Sequence, residues 1–263
     1  IIFPSWVHSL INPIIDKPLI QFAVEEAIEA GIEEIIFVTS HTKKAIEDYF
    51  SMNYELEHRL KNAGKQEVID IIHPKYLDEI KFSFIRQSEP NGLGHAILQA
   101  KHIITDDFFG IILADDLILS EPGCFKQLLK IHEKTHSSVL GVFSASENQL
   151  SNYGVISSKN IEGIEKVDGI VEKPQPAEAP SNLAVFGRYI LSKDIFSNIE
   201  QTKPGLNNEI QLTDAIQELI SNKDVFALEF EGRRYDCGTK EGYISAIIDR
   251  AMSIDKYKSI IEK

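Results

Sequence analysis

Two aspartate-bearing segments, far apart in the chain, could hold a metal ion against phosphate. Asp115 and Asp116 close the apolar run Ile111-Ile112-Leu113-Ala114, and Asp236 stands in Tyr235-Asp236-Cys237-Gly238-Thr239, also placed just after an expected strand. In open α/β sheets, ligands gather beyond the carboxyl ends of the strands. Magnesium takes one or two protein carboxylates and draws its other ligands from phosphates and water. Asp115 and Asp236 fit that requirement as a pair, although Asp-Asp on its own equally makes a turn or a helix cap.

Three further segments could bind parts of a phosphorylated substrate. Gln87-Ser88-Glu89-Pro90-Asn91-Gly92-Leu93-Gly94-His95-Ala96 joins an expected strand to an expected helix. Its glycines let backbone approach a ligand, the helix start favours an anion, and the Gln87 amide can both donate and accept, as a nucleobase edge demands. The plain alternative is an ordinary strand–helix turn, and His95 at the helix start reads as structural rather than catalytic. Val171-Glu172-Lys173-Pro174 sets an acceptor beside a cation, which suits sugar hydroxyls and a sugar phosphate, or else a solvated surface pair. Tyr153-Gly154-Val155 could lay backbone against a sugar face, or form a tight turn.

The elements that must carry these groups follow from apolar spacing. Residues 18–30 place Ile20, Ala23, Val24, Ala27 and Ile28 at helical intervals, with Asp16 and Pro18 suited to the start and Gly31 to the stop. A buried strand is expected over 35–38, a helix over 43–50, a charged helical excursion over 51–78, a strand over 82–85, a helix over 94–101 and a strand over 110–113. A helix over 125–136 and a strand over 139–143 come next, then a β-rich stretch over 153–191 with short strands at 154–156, 169–171 and 184–186. Helix 210–220, strand 226–230 and a closing helix at 243–252 complete the chain. This rhythm predicts an α/β fold, a three-layer α/β/α sandwich with a mixed, mostly parallel central sheet. With no internal repeat or linker, one domain is expected, its β-rich half holding a second substrate.

Composition narrows the function. At 263 residues, with 43% hydrophobic and 25% charged side chains, the chain has the balance of a globular enzyme that needs no staples. Cys124 and Cys237 lack any partner motif, which argues against a disulfide framework or zinc site and for a reducing compartment. The formal charge of −13 repels nucleic acid and anionic membranes, so neither is an expected partner. Phosphate substrates would then depend on local lysines, arginines, backbone amides or metal. No apolar run reaches spanning length and no signal peptide is visible, so a cytoplasmic location is expected. The opening Ile1-Ile2-Phe3 reads as a strand without an initiating methionine, so a trimmed start is expected.

Taken in order, IIDKPLIQFAVEEAIEAGIEEIIFVTS, NGLGHAI, ILADDLI, NYGVI, VEKP, SNLAVFGRY, NNEIQLTDAI and YDCGTKEGY resemble the bacterial UTP–glucose-1-phosphate uridylyltransferase family from about Ile14 to the last helix. The resemblance implies a nucleotidyltransferase-type fold with a nucleotide-binding half over about 1–120, a sugar-phosphate half over about 121–240 and a C-terminal helix over about 241–263. It also implies a homo-oligomer, and a magnesium-dependent reaction of UTP with glucose 1-phosphate that yields UDP-glucose and pyrophosphate. It implies that Asp115 and Asp236 hold the metal and, with Lys173, form the catalytic set. Gln87 and Gly92 would read uracil, Gly154 and Glu172 hold glucose, Lys173 bind its phosphate, and Asp116 line the sugar side. In-line attack by a phosphate oxygen needs positioning and charge neutralisation, not a covalent intermediate. A thymidylyltransferase-type relative is the alternative, against which SNLAVFGRY and NNEIQLTDAI speak.

One departure stands out. In the family the first strand runs into a glycine-rich stretch of the form GxGTRxLPxTKxxPKEMLP. Here Phe3-Pro4 is followed by Ser5-Trp6-Val7-His8-Ser9-Leu10-Ile11-Asn12-Pro13, without glycine, arginine or lysine. A UDP-glucose-binding protein with weak turnover is therefore the second reading.

Overall fold

The structure is a computed structural model that describes residues 1–4, 10–40, 43–205 and 208–261. The chain opens with β1 (Ile2–Pro4), a small hairpin of β2 (Pro13–Ile14) and β3 (Lys17–Pro18), α1 (Leu19–Glu29) and β4 (Glu34–Thr39). An excursion follows through α2 (Lys44–Phe50), α3 (Tyr54–Asn62) and α4 (Gln66–Ile72), before β5 (Lys81–Arg86), α5 (Leu93–Leu98), β6 (Phe108–Ile112), β7 (Asp116–Leu119) and α6 (Cys124–Thr135). The remainder is β8 (Ser138–Ser144), β9 (Gly154–Ile161), β10 (Ile164–Glu172), β11 (Leu183–Ser192), α7 (Ile195–Gln201), α8 (Leu212–Asn222), β12 (Val225–Glu229), β13 (Arg233–Asp236), α9 (Lys240–Met252) and α10 (Asp255–Ile261).

Among the described residues, nine strands form one sheet in the order β5-β4-β1-β6-β11-β8-β12-β10-β9, with β11 also touching β9. Successive strand residues point to opposite faces, and both faces are covered. On β4, Ile35 and Phe37 pack with α1 and α6, whereas Ile36 and Val38 pack with α5 and α7. On β11, Phe186 and Ile190 join the first cluster and Val185, Tyr189 and Leu191 the second. This is the expected three-layer α/β/α arrangement.

The sheet is mixed but less parallel than expected. Strands β5, β4, β1 and β6 run parallel, as do β8 and β12, but β6 with β11, β11 with β8, β12 with β10 and β10 with β9 are antiparallel. The reason lies in the β-rich stretch. Its strands are long, eight to ten residues each, and β9 returns directly into β10 as a hairpin at Gly163 (φ +85°) rather than through a crossover helix. The expected closing helix is likewise two helices, α9 and α10.

The parallel run positions the site. Because β5, β4, β1 and β6 share a direction, their carboxyl ends lie on one edge, with Gln87 one residue beyond β5 and Asp115 three beyond β6. Three strand spacings of about 4.8 Å put these two ends about 14 Å apart. Strands β7 and β13, which carry Asp116 and Asp236, form their own antiparallel ribbon beside the sheet.

Candidate active site

Six of the residues singled out above, Asp115, Asp116, Gly154, Glu172, Lys173 and Asp236, line one cleft of about 480 Å³. Asp116 and Asp236 face each other directly in the ribbon register of β7 and β13. Asp115 precedes Asp116, and its carbonyl accepts a hydrogen bond from the Cys237 amide at 2.8 Å, so the two aspartate segments are tied together by backbone. Asp236 stands at the end of β13, not directly after β12 as the sequence suggests.

The turn that carries Asp115 is held from beneath by a buried ion pair. Arg188 on β11 donates to both carboxylate oxygens of Glu26 on α1, at 2.7–3.2 Å, and to the carbonyls of Leu113 (3.1 Å), Gly187 (3.0 Å) and Asp116 (3.0 Å). Glu26 also accepts from the Phe125 amide at 2.9 Å. A buried charge pair is tolerable when its remaining donors are satisfied in this way.

The space between Asp115 and Asp236 depends on Gly238. A Cβ there would sit 3.0 Å from Asp236 Oδ1 and 3.4 Å from Asp115 Oδ2, so glycine keeps open a point close to both carboxylates. Burial first, then the charges of Asp116 and Asp236, push the Asp115 carboxyl up to about 7. A buried carboxylate crowded by others is the environment that a divalent cation relieves. Among the described residues no group of three or more His, Cys, Asp or Glu could enclose a metal. The donor set here is the open, two-carboxylate kind that suits a divalent cation with substrate phosphates.

Asp116 has a different role from its neighbour. Its Oδ2 accepts from the Gly187 amide at 2.9 Å, and its Oδ1 lies 2.5 Å from Arg234 Nη2 in an ion pair without hydrogen-bond geometry. Arg234, which the sequence reading passed over, is nearly buried in the cleft wall. Burial opposes its charge, but Asp116, Tyr153 and Asp236 outweigh that and raise its pKa. Lys43, also missed, is partly buried near Asp115; burial lowers its ammonium to about 8 while Asp115 works the other way.

The opposite wall is the end of the β9–β10 hairpin. Glu172 pairs with Gly154 across the strands, and its Oε2 accepts from the Thr213 hydroxyl at 2.9 Å. Lys173 Nζ lies 3.3 Å from Glu172 Oε1. Lys173 itself adopts a left-handed conformation (φ +46°), which turns the chain at the strand end, and its amide donates to the Tyr153 carbonyl at 3.0 Å. A side chain at Gly154 would meet Thr213 Cγ2 at 2.6 Å and enter the space beside Glu172.

Gln87 and Gly92 are not brought into this cleft; only Leu93, one residue on, lines it. The Gln87 amide donates to the Gly92 carbonyl at 3.4 Å and lies 2.9 Å from His95 Nδ1, while the Gln99 amide lies 3.2 Å from His95 Nε2. A neutral imidazole offers one donor and one acceptor, so one glutamine must turn its oxygen to the ring. These contacts give His95 a structural setting. Gly92 (φ +99°) packs on the backbone of Ile210, where a Cβ would come within 2.7 Å. Of the replaced segment at 5–13, residues 5–9 lie outside the described residues; Leu10 is buried in the core. Both cysteines are free and buried.

The chain is similar to known proteins over nearly its whole length. The nucleotidyl transferase family model matches residues 10–252. A UTP–glucose-1-phosphate uridylyltransferase of Streptococcus pyogenes is 46% identical over 255 residues, spanning 94% of this chain and 82% of the relative. A crystal structure of UDP-glucose pyrophosphorylase complexed with UDP-glucose superposes with a TM-score of 0.87 at 40% identity, over 96% of this chain and 98% of that one. A UTP-bound UGPase from Acinetobacter baumannii gives a TM-score of 0.89 at 31% identity, over 100% and 98%.

Proposed function

From its membership of the nucleotidyl transferase family, within the UTP–glucose-1-phosphate uridylyltransferases, we propose that this chain joins UTP and glucose 1-phosphate into UDP-glucose and pyrophosphate. The observation that carries the assignment to this site is the single cleft in which Asp115 and Asp236 converge across Gly238 opposite Glu172 and Lys173.

In this reading a sugar-phosphate oxygen attacks the α-phosphorus of UTP, and the bond to the β-phosphate oxygen breaks to release pyrophosphate. Lys173 holds the sugar phosphate as a point charge, and Glu172, aimed by Thr213, accepts the glucose hydroxyls. Gly154 leaves room for the sugar beside that carboxylate. Asp115 and Asp236 hold a divalent cation, which we take to be magnesium. When bound, that ion supplies charge neutralisation for the phosphates. Asp116, engaged by Gly187 and Arg234, shapes the sugar side rather than binding the ion. Gln87 and Gly92 would read uracil at the β5 edge, outside the described cleft.

Some broader features belong to the same reading. One domain, with the nucleotide half on the parallel strands and the sugar half on the antiparallel ones, is supported by the continuous nine-stranded sheet. A cytoplasmic location is supported by two free buried thiols, and no helix among the described residues is long and apolar enough to cross a membrane. Homo-oligomerisation is supported by exposed apolar side chains such as Tyr54, Ile71, Ile244 and Ile248. The thymidylyl alternative finds no support in the uridylyltransferase relative. The weak-turnover reading keeps its support in the sequence of residues 5–13.

The test is product formation from glucose 1-phosphate with UTP, dTTP or CTP, alongside UDP-glucose binding, on one preparation. UDP-glucose formed from UTP in preference to the others supports the assignment. Neither binding nor turnover of uridine nucleotides would overturn it. Gln87→Ala should erode the preference for UTP more than triphosphate affinity; an intact preference would mean that other groups read the base.

A further inference from the structure

Tyr153 has a place that the proposed reaction leaves unexplained. Its hydroxyl donates to Asp236 Oδ2 at 2.9 Å, and its backbone carbonyl accepts the Lys173 amide at 3.0 Å. It therefore touches one member of the cation seat and the residue assigned to the sugar phosphate.

The direction of the hydroxyl is set by Arg234. Both terminal nitrogens of Arg234 donate to the phenol oxygen, at 3.3 Å each. A phenol has a single hydrogen to give. With its oxygen accepting from the guanidinium, that hydrogen is free for Asp236. Arg234 is in turn fixed by stacking, its guanidinium carbon lying 4.5 Å from the centre of Phe143, 4.9 Å from Tyr153 and 5.7 Å from Phe186. The Tyr153 ring meets Phe143 edge-on at 5.2 Å. Asp236 Oδ1 accepts from the Gly238 amide at 3.1 Å, so both of its oxygens are held by this chain.

We infer that Tyr153 is a positioning residue: its hydroxyl, oriented by Arg234, sets the Asp236 carboxylate for the cation and links the cation seat to the sugar-phosphate side of the cleft. This rests on the reading of Asp236 as a cation ligand. A merely space-filling tyrosine would give stability alone; a positioning one governs cation affinity with no substrate present.

The experiment is Mn²⁺ titration of the full chain without nucleotide, following free Mn²⁺ by electron paramagnetic resonance, for the parent, Tyr153→Phe, Arg234→Lys, the double variant and Asp236→Asn. Tyr153→Phe keeps the ring and removes only the oxygen. Losing one hydrogen bond to a charged group should raise the Mn²⁺ dissociation constant about tenfold. Arg234→Lys keeps a cation opposite Asp116 but loses the paired donors, so it should weaken Mn²⁺ in the same direction. The double variant should be no worse than Tyr153→Phe, because both act through one hydroxyl. If Asp236→Asn abolishes binding while Tyr153→Phe stays within about twofold of the parent, the inference is wrong and the cation reading stands. Additive losses in the double variant would also overturn the relay. If Asp236→Asn binds Mn²⁺ like the parent, the ligand assignment itself fails. Should Tyr153→Phe not fold, Arg234→Lys decides: unchanged Mn²⁺ affinity overturns the inference.

Discussion

Asp115 is under opposing demands, because the surroundings that suit it to a cation make it costly without one. Its carboxyl is pushed up to about 7 from an ordinary 3.8, by burial first and by Asp116 and Asp236 after it. Between these values the unfolded chain has released a proton that the folded protein still holds. Stability therefore falls as pH rises from about 4 to about 7 in the metal-free protein. Asp115→Asn removes the penalty. Without divalent cation it should melt at least about 3 °C above the parent at pH 8, taking roughly 2–4 °C per kcal/mol, and the gap should close below pH 4. Calorimetry across that range checks this, and equal melting at pH 8 would refute it. The same variant should lose cation binding. At the other wall, Glu172→Ala leaves a sugar hydroxyl unpaired, a loss of about 1–3 kcal/mol, or roughly five- to 150-fold in KM for glucose 1-phosphate. The KM for UTP should move by about twofold or less; equal weakening of both substrates would mark Glu172 as a strand-end residue only.

Among the elements, the short ones decide the site. Strand β7 is four residues and β13 four, yet their pairing sets Asp116 opposite Asp236, and the turn before β7 is fastened to α1 through Arg188 and Glu26. Glu26→Gln leaves the Arg188 charge buried without its partner, which typically costs about 3–5 kcal/mol. The urea midpoint should fall with an unchanged slope. Replacing the pair together, Glu26→Leu with Arg188→Met, should restore much of that stability but not cation affinity, because the carbonyls of Leu113 and Asp116 lose their donors. Full recovery of Mn²⁺ binding in the double variant would show that the pair stabilises without positioning. These elements also mark where sequence reading stops. The apolar runs of β4 and β6 and the helical spacing of α1, α6 and α8 are strong local signals, and all are found near their expected ends. Strand β13 begins with Arg233-Arg234 and has no apolar alternation to announce it. Helix α3 buries no residue, so its excursion has no clear period. Within the site, Asp115, Asp236, Glu172 and Lys173 were visible because their residue types state their chemistry. Arg234, Arg188, Tyr153 and Thr213 were not, because each acts through a partner at least 40 residues away in the chain.

At the scale of the whole molecule, the formal charge of −13 opposes a substrate that brings a triphosphate. The fold answers with the common edge of its parallel strands. Strand β1 lies between β4 and β6, and its carboxyl end at Pro4 lies on the same edge that carries Gln87 and Asp115. At this position the resemblance noted above places the glycine-rich stretch with its backbone amides, arginine and lysine. Residues 5–13 contain none of glycine, arginine or lysine. Lys173, the cation assigned to the sugar phosphate, stands just after β10 beside Glu172. Charge developing between the α-phosphate and departing pyrophosphate needs fixed donors, and losing one costs about a hundred- to a thousandfold in rate. UDP-glucose, by contrast, carries no leaving pyrophosphate and can rely on Glu172, Lys173 and the cation. The 263-residue chain should therefore bind UDP-glucose, as calorimetric titration would show, while forming it from UTP very slowly. Inserting a GxGTR…PKE-type stretch after Pro4 should raise turnover by at least about a hundredfold, the worth of one such donor, and change the UDP-glucose dissociation constant by less than about threefold. If a preparation whose intact mass matches 263 residues turns over as fast as the version with the insert, the triphosphate is held by other groups and the role given to that edge is wrong.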